Sequence, residues 1–86
     1  MNISRDNMTD LLYEVLKDMG GKGTIVEVCK AFWEKHENDL RRSGEWFYKW
    51  QYEIRWAATE LRREKLLKPA EYSPKGLWEL NSKYLS

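Results

Sequence analysis

Three segments of helical periodicity, followed by two short β-prone runs around a Pro- and Gly-containing turn, predict an α+β fold, mostly α, in which three helices precede a β-hairpin. Met8, Leu11, Leu12, Val15, Leu16 and Met19 recur at steps of three and four, the stripe of an amphipathic helix, and Gly20-Gly21 stops it. Thr24 with Glu27 three residues on forms a capping box that opens the second helix. Val28, Ala31 and Phe32, joined by Ile25, supply its buried face, and the polar run that begins at Asn38 and Asp39 is expected to end it near Asn38. Ser43 is expected to cap the third and longest helix, residues 45–65, in which Phe47, Trp50, Ile54, Ala57 and Leu61 mark a core face. Strands are expected at residues 66–70 and 77–80, with a short third strand at 23–25. This order of elements is that of a winged helix (three helices followed by a β-hairpin wing).

A chain of 86 residues holds one domain, residues 1–86 with a core at about 8–81, close to the size at which a lone hydrophobic core becomes marginal. The aromatic content is high enough to supply that core, with five Trp and five Tyr. Cys29 is the single cysteine, so no internal disulfide can form, which fits a reducing compartment. Met1 to Asp10 lack the layout of a signal peptide, and no apolar run is long enough to span a bilayer. A cytoplasmic location is therefore expected.

The formal net charge of +1 conceals a segregation of charge along the chain. Residues 1–40 carry five basic and eight acidic side chains, whereas residues 41–68 carry eight basic and four acidic ones. The third helix and its flanks are thus the part suited to a polyanion.

The run Glu53-Ile54-Arg55-Trp56-Ala57-Ala58-Thr59-Glu60-Leu61-Arg62-Arg63-Glu64-Lys65-Leu66-Leu67, followed by Ser73-Pro74-Lys75-Gly76-Leu77-Trp78-Glu79-Leu80, resembles the N-terminal domain of Mrr-type restriction proteins. The shared pattern is an apolar residue two before Trp-Ala, a Thr two after that Ala, Leu with two basic residues, a Leu-Leu pair and a Pro-basic-Gly-apolar-Trp wing. The Gly-rich turn ahead of the capping box fits it as well. Lys65 stands where that family usually has a small residue, often Gly. The resemblance covers roughly residues 8–81 and implies a winged helix that reads double-stranded DNA ahead of a nuclease domain, in a restriction or defence system.

At about 100° per residue, a third helix with Ile54 at the core centre turns Tyr48, Lys49, Tyr52, Arg55, Thr59 and Arg63 to its far half. A helix in the major groove needs long donors, and Gln51 and Arg55 are the candidates for base contact, since Gln pairs bidentately with adenine and Arg with guanine. Tyr48, Lys49 and Tyr52 suit phosphate or sugar contacts. Arg41 and Arg42 lie just before the helix N-terminus, where free amides favour anions. Lys75 at the wing tip is the natural backbone contact, although Pro74-Lys75-Gly76 is also good turn chemistry. Each residue taken singly also fits an ordinary solvated face.

Trp56 is expected to pack under the hairpin with Trp78, and Trp33 to fill a groove between helices. Cys29 and His36 lie seven apart on one helix with no third orienting group, and Glu27, Glu34 and Glu37 have no metal-ligand arrangement. No cofactor and no enzymatic activity are expected. The alternative reading is a winged helix that binds protein and no nucleic acid, with Trp33, Trp46 and Tyr72 as anchors.

Overall fold

The computed structural model describes residues 2–81. Its elements run α1 (Arg5–Asp18), β1 (Lys22–Thr24), α2 (Ile25–Arg41), α3 (Trp46–Arg63), a 3-10 turn (Ala70–Tyr72) and β2 (Leu77–Glu79). The described part is a small, mostly helical α+β fold with three helices and a two-stranded antiparallel sheet.

Helix α1 begins a turn earlier than the apolar stripe indicates, because Ser4 and Asn7 hold its start: the Ser4 amide donates to Asn7 Oδ1 at 2.9 Å. Met8, Leu11, Leu12, Val15 and Leu16 are all buried. The stop is as expected, with the Gly21 amide donating back to Leu16 O at 2.8 Å and both Gly20 and Gly21 at positive φ.

Thr24 and Glu27 form the reciprocal capping box at the start of α2. The helix does not end at Asn38. It continues to Arg41 through a break at His36 (φ −119°, ψ 15°), because Leu40 takes the next place in the buried series Val28, Phe32, His36 and Leu40. Ser43 does not cap α3 either. Its hydroxyl donates to Asp39 O and accepts the Ile3 amide at 2.8 Å, so it closes α2 and ties the N-terminal segment to it. Glu45, with helical φ and ψ and no side-chain cap bond, precedes α3.

Helix α3 buries Trp50, Ile54, Ala57, Ala58 and Leu61 and packs most extensively on α1. Complete burial of a side chain such as Ile54 or Leu61 contributes about 1.5–3 kcal/mol. A bidentate pair supports the α1 contact: Arg5 Nε and Nη2 donate to Glu53 Oε2 and Oε1 at 2.9 and 3.2 Å. The same guanidinium lies 4.6 Å from the Trp56 ring centroid. Trp56 therefore stacks at the α1 side, and no ring contact joins it to Trp78. The Schellman closure of α3 runs from the Leu66 amide to Leu61 O at 2.9 Å.

The sheet differs from the expected hairpin. The main pairing joins β1 to β2, with Lys22 opposite Glu79, Gly23 opposite Trp78 and Thr24 opposite Leu77. The run at 66–70 contributes a single bridge, Leu67 to Leu80, flanked by the Lys68 amide on Glu79 O and the Asn81 amide on Leu66 O, each at 2.8 Å. Pro69 has no amide hydrogen to extend this ladder, and Ala70–Tyr72 turn away as a 3-10 helix. Gly23 packs closely under the core: a Cβ there would come within 2.6 Å of Met19 Cε, the movable end of a flexible side chain, and 3.2 Å of Val28 Cγ2.

His36 is 6% exposed, with its ring 4.8 Å from that of Phe32 and its Nε2 without a hydrogen-bond partner. Burial and then the charge of Lys35 push its pKa below the ordinary imidazole value, against the opposing pull of Asp39 and Glu14. The unfolded chain therefore takes up this proton more readily than the folded one, and stability declines as pH falls through the unfolded value of about 6.5. Urea titrations should show a lower midpoint at about pH 5 than at about pH 7, and His36→Leu should flatten that dependence. An unchanged slope in His36→Leu would contradict it.

Candidate nucleic-acid interface

The exposed sector of α3 is set by what the helix must bury. With Ile54 taken as zero, Gln51, Arg55, Tyr48, Thr59 and Tyr52 fall at about 60°, 100°, 120°, 140° and 160° around the axis. All five are exposed, Tyr48 at 86% and Tyr52 at 73%. No acidic residue of α3 falls in this sector. Arg55 Nη1 donates to Gln51 O at 2.7 Å, which lays the guanidinium along the helix, and among the described residues no carboxylate pairs with it.

The two ends of the sector are basic. At the N-terminal end, Arg41 sits 5.3 Å from the Trp33 ring centroid and 5.4 Å from that of Phe47, while its Nε donates to Glu37 Oε2 at 2.9 Å. Arg42 is exposed beside it. At the C-terminal end, Lys75 and Arg62 line one cleft with Ile25, Pro74 and Trp78, so the loop between Pro69 and Leu77 flanks the end of α3. Lys49 departs from this grouping. It lies about 160° around the helix from Gln51, and its Nζ is 3.5 Å from Glu45 Oε2.

Between α2 and α3 lies a cleft of about 430 Å³ lined by Cys29, Lys30, Trp33, Phe47, Trp50 and Gln51. Trp33 fills the inter-helix groove as expected, stacked on Trp50 with ring centroids 5.8 Å apart and also facing Phe47. Trp46 is half-buried against the core, and Tyr72 is exposed. Burial pushes the Cys29 thiol up, and the positive charge of Arg55 partly offsets that. The sequence reading did not find Lys30, Cys29 or Arg62 at this surface. For Cys29 and Lys30 the signal was the spacing Val26, Cys29, Lys30, Trp33, which puts them on the flank of α2 that turns toward Gln51 and Arg55; Arg62 lies on α3, about two turns after Arg55.

Among the described residues no group of three or more His, Cys, Asp or Glu side chains is placed to hold a metal ion, and no helix is long and apolar enough to cross a membrane. Comparison with family models, curated proteins and solved structures finds no match for this chain.

Alkylation of Cys29 by iodoacetamide reports on this surface, since the thiolate is the reactive form. The rate should rise with a midpoint above that of a free cysteine, and Arg55→Ala should move the midpoint higher still. An Arg55→Ala midpoint equal to or below the wild-type one would place the guanidinium away from the cleft.

Proposed function

We propose that this chain is a DNA-binding winged helix without catalytic chemistry of its own, with α3 entering the major groove and the Lys75 loop on the DNA backbone. The observation that carries the reading is the acid-free sector of α3, bounded by Arg41 and Arg42 at one end and Lys75 at the other. A helix that reads base edges presents long donors from its N-terminal half, and Tyr48, Gln51 and Tyr52 occupy that half of α3, with Arg55 one residue past its midpoint.

The order of elements supports the winged-helix reading: β2 pairs with β1 on one side and, through Leu80, with Leu67 on the other. The loop between Pro69 and Leu77 is then the wing. The resemblance to Mrr-type N-terminal domains adds the expectation that the module serves a restriction or defence protein, and it rests on the motifs of α3 and the wing. Within the interface, Gln51 and Arg55 are assigned to bases and Arg41, Arg42, Tyr48, Tyr52 and Lys75 to phosphates or sugars. Lys49, turned aside and paired with Glu45, takes a peripheral place.

A protein-binding role has one observation in its favour, the aromatic cleft of Trp33, Phe47 and Trp50. Its rim is basic, however, with Lys30, Arg41 and Arg55 around it, which suits a polyanion as well as an acidic protein. Chemical-shift mapping with short duplexes separates the two. Shifts should concentrate at residues 41–59 and around Lys75. Replacing Gln51 and Arg55 by Ala should reduce sequence preference, each lost bidentate contact costing about 1–3 kcal/mol of discrimination, while Lys75→Ala should weaken all sequences alike. Duplex that shifts none of these amides would sink the proposal.

A further inference from the structure

A second cleft, of about 440 Å³, lies at the C-terminal end of α3, lined by Arg62, Lys65, Leu67, Lys68, Pro69, Tyr72 and Asn81. Its size is within the range of about 300–1,000 Å³ typical of small-molecule sites. Its lining combines cations with flat apolar surface. Among the described residues Lys65 pairs with no carboxylate and Arg62 engages only the Lys68 carbonyl, through Nε at 3.2 Å. The Lys68 ammonium is held 3.2 Å from Glu79 Oε2. Leu67 and Pro69 give an apolar floor, and the Tyr72 ring is 75% exposed beside it. Asn81 fixes the amide side of the rim by donating from Nδ2 to Lys65 O at 3.3 Å, which leaves its Oδ1 as an acceptor.

Lys65 is the informative residue. It occupies the left-handed position of the α3 closure with φ +65°, the one non-glycine residue among those described with positive φ. A glycine there would be unstrained. The chain instead keeps a lysine in an unfavourable backbone conformation, and that lysine is one of the two cations of the cleft without a carboxylate partner among the described residues. Backbone strain retained beside a concave site is a pointer to use.

We propose that this cleft binds a nucleoside phosphate, with Lys65 and Arg62 on the phosphate, the base stacked on Tyr72 and Pro69, and Asn81 meeting a donor on the base edge. Two unpaired cations suit a dianionic phosphate, the flat floor suits a base, and the amide suits a polar edge. The phosphate can come from a free nucleotide or from the unpaired end of a nucleic-acid strand. The site shares only Arg62 with the surface assigned to duplex and otherwise lies past the end of α3, and it stands whether or not that assignment does.

The test is titration of the full chain, followed by amide chemical shifts, with adenosine 5′-monophosphate, adenosine and inorganic phosphate in parallel. The nucleotide should shift the amides of residues 65–72 and Asn81, and adenosine and phosphate should each bind at least about tenfold more weakly. Lys65→Gly removes the ammonium while relieving the strained backbone, so it should fold at least as well and lose about tenfold or more in nucleotide affinity. Arg55→Ala should leave nucleotide binding intact. Blunt duplex and duplex with a short single-stranded overhang distinguish the sources: shifts at 65–72 from the overhang beyond those from blunt ends assign the site to strand ends, and shifts from the free nucleotide alone assign it to a soluble ligand. Wild-type nucleotide affinity in Lys65→Gly, phosphate matching the nucleotide, or no shift at these amides from any probe would overturn the proposal.

Discussion

Every feature of this molecule depends on the burial of one stripe of α3, in which Trp50, Ile54, Ala57, Ala58 and Leu61 are withdrawn from water between α1, α2 and the sheet. Because a helix turns by about 100° per residue, fixing that stripe also fixes what the rest of the circumference presents. One flank meets α1, where the Glu53 carboxylate, 6% exposed, is satisfied by both forks of the Arg5 guanidinium. Removing Arg5 would leave the Glu53 carboxylate in a site where it cannot be solvated, whereas the Arg5 side chain is 53% exposed, so the demand of Glu53 for this partner fixes the rotation of α3 as well as its position. The other flank borders the open cleft against α2 and then solvent, and it is there that Gln51, Tyr48, Tyr52 and Arg55 stand.

The ion pairs sharpen this division. Lys35 with Asp18, Arg41 with Glu37, Lys49 with Glu45 and Arg63 with Glu60 are exposed or half-exposed pairs, each of which contributes little to stability. Their effect is on the surface field. They use up carboxylates around the edges of α2 and α3 and leave Arg42, Arg55, Lys65 and Lys75 without carboxylate partners among the described residues. A protein with a net charge of only +1 thus presents cations along one side of α3 and around the loop that follows it. The aromatic layer of Trp33, Phe47 and Trp50 holds α2 against α3 underneath.

What was legible in the sequence was whatever depends on near neighbours. The stripe of α1, the Thr24–Glu27 box, the buried face of α3 and the sector opposite it all follow from residues three and four apart, and each stands in the structure. What was hidden depends on partners far along the chain. Pairing of Lys22–Thr24 with Leu77–Glu79 leaves no local signature, so the sequence favoured the nearer hairpin, which Pro69 reduces to a single bridge. Arg5 carries no signal among its near neighbours because its partner, Glu53, lies 48 residues away. Ser43 looked like a helix cap from its neighbours, yet its hydroxyl serves Asp39 and Ile3. Of the candidate interface residues, the α3 sector was legible from periodicity, whereas the approach of Arg62 to Lys75 required the fold of the loop.

The central claim is that the cations grouped on α3, the α2–α3 turn and the loop act on phosphates. The most direct measurement is the affinity of the chain for a labelled duplex at several salt concentrations between about 50 and 200 mM. If about four phosphates are neutralised, log K should fall against log[salt] with a slope of about −3.6. Affinity that is independent of salt, or an absence of binding at the lowest salt, would contradict the account.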